Sequence, residues 1–113
     1  MLKEIEEKII AFRDERDWAQ FHNPRTLAAS ICIESAELLE IFQWTKDSEL
    51  AETVCVKHIK IEQELADIMI YAITLAHDAG IDIEKAILDK LEKNGEKYPL
   101  SKSKGNSSKY TDL

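Results

Sequence analysis

The chain has 113 residues, the size of one domain, and its 44% hydrophobic content with only three Gly and two Pro fits neither a disordered chain nor a turn-rich all-β protein. Lys and Arg total 15 against 22 Asp and Glu, and a net charge of -7 argues against nucleic acid and acidic membranes as partners unless a bound cation reverses the local sign. The acidity is uneven: residues 97–113 carry a local +3 from Lys97, Lys102, Lys104 and Lys109 against Asp112, which leaves residues 1–96 at -10.

Ile5, Ile9 and Phe12 recur at helical spacing and predict a first amphipathic helix over residues 2–16. Asn23-Pro24 then marks a turn, because proline pushes the preceding residue out of helical geometry. Thr26 is expected to cap a second helix over residues 27–44, with Leu27, Ile31, Leu38, Ile41 and Phe42 facing inward. After the polar break 45–48, with Asp47 or Ser48 as cap, a long third helix is predicted over residues 49–78, weakened and kinked near the β-branched Val54 and Val56. Gly80 suits a left-handed terminator. Asp82 caps a fourth helix over residues 83–94, which Gly95 is expected to stop. Four helices with short links predict an all-α bundle. Beyond Pro99 the composition turns to Ser, Lys, Gly and Asn, so residues 1–99 are read as one domain and residues 100–113 as a mobile tail.

Two cysteines, Cys32 and Cys55, are too few for a disulfide framework, and no run approaches the ~20 apolar residues of a membrane span. The N-terminal stretch lacks the apolar core of a secretory signal. The expected location is the cytoplasm.

Chemistry enters where a core should be. At about 100° per residue, Glu34 falls among Leu27, Ile31, Leu38 and Ile41, and Glu37 lies about 60° to one side. Glu64 repeats this among Ile61, Ile68 and Leu75, with Asp67 beside Tyr71. Two helices thus carry matching inward acid pairs at i, i+3, and no Lys or Arg is expected on the same stripes. Acidic side chains are rarely buried unless something neutralises them. A hard divalent cation does so, and an all-oxygen set favours Mg²⁺, with Mn²⁺ as substitute. A di-iron centre needs Glu-x-x-His on two helices, and neither His22, His58 nor His77 follows a Glu by three. The plain alternative is that the acids sit on a solvated helix edge. Carboxylate-held Mg²⁺ typically meets phosphates.

Glu34-x-x-Glu37 followed by Glu64-x-x-Asp67 resembles the signature of the MazG-like nucleotide pyrophosphohydrolases. Within them the chain looks most like the dCTP pyrophosphatase group, through Glu15-Arg16-Asp17-Trp18, Phe21-His22-x-Pro24-Arg25, Phe42-Gln43-Trp44, Lys97-Tyr98-Pro99 and Ser108-Lys109-Tyr110-Thr111. One departure is Ile9, where the animal enzymes carry histidine.

The resemblance implies a four-helix MazG-like bundle assembled from dimers, as homodimer or homotetramer. It further implies Mg²⁺-dependent cleavage of dCTP, or a modified dCTP, to the monophosphate and pyrophosphate, in sanitation of the nucleotide pool. It makes Glu34, Glu37, Glu64 and Asp67 metal ligands, and Trp18 and Trp44 walls for the base. His22, Asp67 and Tyr71 become substrate contacts, and Lys90, Asn94 and Lys97 phosphate contacts. Glu37 is the candidate for activating water, since it lies off the stripe nearer the opening, with Glu34 or a metal-bound hydroxide as the alternatives. The plain readings beside these are core aromatics for the two tryptophans, a surface histidine for His22 and a solvated face for the lysines. Two other functions stay open: a non-catalytic helical oligomerisation or adaptor module that keeps the metal site, and a triphosphate pyrophosphatase of broad specificity.

Overall fold

The computed structural model describes residues 2–113, and among them every regular element is helical. Six α-helices replace the expected four: α1 (Leu2–Glu15), α2 (Pro24–Phe42), α3 (Leu50–Val56), α4 (His58–Asp78), α5 (Ile83–Lys97) and α6 (Leu100–Ser103). Single 3₁₀ turns lie at Ala19–Phe21, Asp47–Glu49 and Tyr110–Asp112. The chain forms two compact units, one ending at Gly80 and one spanning Ile81–Leu113.

In the first unit α2 packs along α4, and α1 and α3 also lie against α4. The start of α2 corrects the expected cap. Asn23, not Thr26, is the N-cap: Asn23 Oδ1 accepts the Thr26 N–H at 2.9 Å, and Thr26 Oγ1 accepts the Asn23 N–H at 3.0 Å. Pro24 opens the helix itself, since its missing N–H falls where no intrahelical partner exists. The expected third helix is interrupted rather than kinked. Lys57 leaves helical geometry at φ -99°, ψ 19°, directly after the β-branched run, and separates α3 from α4. Asp47 and Ser48 cap nothing there; they belong to a 3₁₀ turn, and α3 begins at Leu50, its N-cap Glu49 making no side-chain cap. Gly80, at φ +69°, adopts the left-handed geometry expected after α4.

Leu27, Ile73 and Ala76 are the buried hydrophobic residues among those described, a thin core for helices this long. Many apolar side chains stay open, with Val56 71%, Ile59 70% and Leu39 60% exposed. None of the described helices is long and apolar enough to cross a membrane.

In the second unit, α5 starts at the Asp82 cap, whose Oδ1 accepts the Lys85 N–H at 3.1 Å. It runs through Gly95 instead of stopping there: the Tyr98 N–H still reaches the Asn94 carbonyl at 2.8 Å, and Pro99 follows. The stretch 100–113 contains α6 and the last 3₁₀ turn. Tyr110 lies edge-to-face on Tyr98 at 5.9 Å, with Lys97 Nζ 4.9 Å from its ring centre.

Candidate active site

The packing of α2 on α4 brings the signature acids together. Glu34 and Glu37 sit one turn apart on α2, Glu64 faces them from α4, and one carboxylate oxygen from each lies within 4.8 Å of the others. Glu64 is 3% exposed. Glu34 Oε2 and Glu64 Oε2 are buried with no hydrogen-bond partner among the described residues. Burial, then a hydrogen bond shared with Glu64 and the charge of Glu37, pushes the Glu34 carboxyl up to about 7 from its ordinary 4.5.

Here the expectation of acids without a basic neighbour is wrong. Lys60, one turn before Glu64 on α4, donates to Glu64 Oε1 at 2.7 Å. That hydrogen bond is the main reason why Glu64 lies below the usual carboxylate range, and it raises Lys60 in turn. The four-carbon stem allows the ammonium to meet Glu64 from solvent, with the side chain 56% exposed.

The donor set fits a hard divalent cation. It is all oxygen, it gathers negative charge faster than Lys60 offsets it, and it leaves two buried carboxylate oxygens unpaired. Asp67, the fourth expected ligand, stands apart from this trio. It is exposed one turn further along α4, where it lines a cavity and adds its charge to the field at Glu34.

That cavity, about 550 Å³, lies between α1 and α4 and is lined by Trp18, His22 and Tyr71 beside Asp67, with Ile9 and Phe12 from α1. Its aromatic wall is fixed by the end of α1. Asp17 adopts φ +51°, the Trp18 N–H bonds the Arg13 carbonyl at 3.1 Å, and the Asp17 N–H bonds that of Asp14 at 3.1 Å. This is a Schellman reversal, and its usual hydrophobic contact is present: Trp18 packs edge-to-face on Phe12 at 5.8 Å. Trp44 is not part of this cavity. It lies beyond the last turn of α2 and is 88% exposed, so the two tryptophans do not form facing walls within one chain.

Arg13 and Asp78 escaped the sequence reading. The Arg13 guanidinium grips Asp78 through two hydrogen bonds, at 2.8 and 2.9 Å, and ties the end of α1 to the end of α4. Arg13 is 8% exposed, and the pair holds Asp78 well below the usual carboxylate range and Arg13 above its ordinary value. The signal was present: Arg13 follows Ile9 by four, which turns it onto the apolar stripe. Lys8 also lines the cavity unanticipated.

Lys90, Asn94 and Lys97 lie on α5 in the second unit at i, i+4, i+7, on one face of that helix. Lys90 and Lys97 are exposed, and Asn94 is half-buried.

Comparison with known proteins identifies the family. The model of the MazG-like family matches residues 29–113, which include both acid pairs. The dCTP pyrophosphatase 1 of Bos taurus is 39% identical over 114 residues, covering 99% of this chain and 68% of that protein. That of Rattus norvegicus is 37% identical, with 99% and 67% covered. Among solved structures, the crystal structure of a pyrophosphatase from Archaeoglobus fulgidus superposes with a TM-score of 0.83 at 43% identity, over 87% of this chain and 92% of that one. With the family model, the relatives matched over nearly the whole of this chain, and the fold in agreement, the chain belongs to the MazG-like family.

Proposed function

We propose that the protein is a Mg²⁺-dependent nucleoside triphosphate pyrophosphohydrolase that cleaves dCTP, or a modified dCTP, to the monophosphate and pyrophosphate, and so helps clear the nucleotide pool. The observation that carries this reading is the convergence of Glu34, Glu37 and Glu64, with two orphaned buried oxygens, beside a cavity walled by Trp18. Relatives named dCTP pyrophosphatase support the choice of base.

Glu34, Glu37 and Glu64, with Asp67 nearby, are the residues that would hold Mg²⁺. Such an ion, when bound, would supply positive charge to offset that of the phosphate oxygens. Trp18 offers its indole face to the base, since stacking is worth about 1 to 3 kcal/mol. Tyr71, His22 and Asp67 present polar groups to the nucleotide from the same cavity. Glu37 is assigned to orient and deprotonate the attacking water, with Glu34 as its alternate. Glu37→Gln therefore lowers turnover more than nucleotide affinity, and unchanged turnover removes that role. Lys90, Asn94 and Lys97 are proposed as phosphate contacts on the strength of the resemblance. Residues 1–99 are proposed as the nucleotide domain, with residues 100–113 appended as a tail.

The open apolar faces and the thin core favour a homodimer or homotetramer, and a second copy is what Trp44 would need to reach a base. Two exposed free thiols, Cys32 and Cys55, suit the proposed cytoplasmic location. Pyrophosphate release from a panel of dCTP, dUTP, dTTP and 5-methyl-dCTP, with and without Mg²⁺, tests the reading. Release from dCTP only with the ion supports it, equal release from all marks broad specificity, and binding without product marks an adaptor.

A further inference from the structure

The bond between Arg13 and Asp78 has a third member. Arg13 Nη1, already donating to Asp78 Oδ2 at 2.8 Å, also stands 3.4 Å from His22 Nδ1. A guanidinium has only donors, so the ring nitrogen facing it must present a lone pair. In neutral imidazole the single proton then resides on Nε2. Arg13 and His22 line the 550 Å³ cavity, and together with Asp78 they line a neighbouring hollow of about 380 Å³, so the triad lies where the two adjoin. The Arg13 carbonyl meanwhile accepts the Trp18 N–H at 3.1 Å, which seats the cavity's aromatic wall on the same residue.

We propose that Arg13 is a positioning residue for nucleotide binding: gripped by Asp78, it holds His22 as the Nε2–H tautomer, so that the ring donates a hydrogen bond to a carbonyl or phosphoryl oxygen of the nucleotide. This rests on reading the cavity as the nucleotide site. Arg13 itself touches no reacting atom; it acts through His22.

Two readouts test it. In ¹⁵N-labelled protein at alkaline pH without nucleotide, the His22 ring, assigned with His22→Gln, shows a protonated Nε2 and a bare Nδ1. The paired change Arg13→Met/Asp78→Met removes both charges together and leaves no buried charge alone. It gives a mixture of tautomers and raises KM for dCTP about fivefold, the value of one hydrogen bond, with kcat within about twofold. Should that pair not fold by thermal melting, Asp78→Asn loosens the grip and carries the same readouts with smaller shifts. In a His22→Ala background the Arg13 and Asp78 changes add nothing further to KM. A His22 that keeps its single tautomer without the guanidinium overturns the proposal, as does full additivity with His22→Ala. Trp18→Ala separates the wider reading: unchanged dCTP affinity there sinks the nucleotide cavity itself, whereas weakened affinity there with no effect of His22→Ala sinks the Arg13 proposal alone.

Discussion

Lys60→Met should tighten binding of a divalent cation. The ammonium sits 2.7 Å from Glu64 Oε1, and an ion held by that carboxylate at about 2.1 Å lies about 5 Å from it. A single charge against a double charge at that separation, in a water-like dielectric, weakens binding by roughly 15-fold. Screening at about 0.15 M salt halves the exponent and leaves roughly fourfold. Methionine keeps the length of the stem without the charge, so local packing is retained. Titrating Mn²⁺ calorimetrically into wild type and Lys60→Met at low and at physiological salt reads the gain directly, together with its decline as salt rises. At a pH well above 7, where the carboxylates stay ionised without the ammonium, unchanged or weaker affinity would refute the placement of the cation at Glu64, because removing a positive neighbour then only strengthens the attraction for a cation.

Glu34 makes metal loading sensitive to acidity. A carboxyl whose folded-state value is pushed from 4.5 up to about 7 stabilises the fold while protonated, below 4.5, and that contribution is lost as pH rises through about 7. The melting temperature of metal-free protein should fall across that window, Mg²⁺ should remove most of the fall, and Glu34→Gln should flatten it; a rise instead contradicts the burial argument. Near pH 6, Mn²⁺ binding should release up to about one proton, seen as a dependence of the calorimetric heat on buffer ionisation enthalpy. Trp18→Ala should weaken dCTP binding by about 1 to 3 kcal/mol, roughly 5- to 150-fold, measured by fluorescence or calorimetry. Leu27→Ala, at the most enclosed side chain, should cost about 2 to 5 kcal/mol in urea unfolding at fixed protein concentration, and a loss below 1 kcal/mol would mean that the site collapses around the gap.

The helical class and the acid pairs were legible because both are periodic: a carboxylate in the middle of an apolar stripe conflicts with its surroundings wherever it occurs. Lys60 was missed because the stripe was read for residues inside it, whereas a lysine one turn away reaches in along its stem. Arg13 escapes for the opposite reason: its charge suggests a surface position, although its spacing from Ile9 turns it inward to a partner 65 residues away. The break at Lys57 was sensed from Val54 and Val56, but β-branching weakens a helix without deciding whether it bends or stops. The cap of α2 slipped by three residues because Asn23 and Thr26 share one capping box, and either partner can be mistaken for its head. Trp44 shows the limit of local reading: α2 ends two residues before it, at Phe42, and a cavity is a tertiary object, which here formed elsewhere.

The reversal at Asp17 holds Trp18 by main-chain bonds, independent of what surrounds the indole. A platform anchored in this way stands ready before any guest arrives. If Trp18 is the base platform, as proposed, docking would spend little of its stacking energy on ordering a loop, so more of that energy would appear as affinity. Side chains across the cavity can therefore be exchanged to suit another base while the platform itself stays in place.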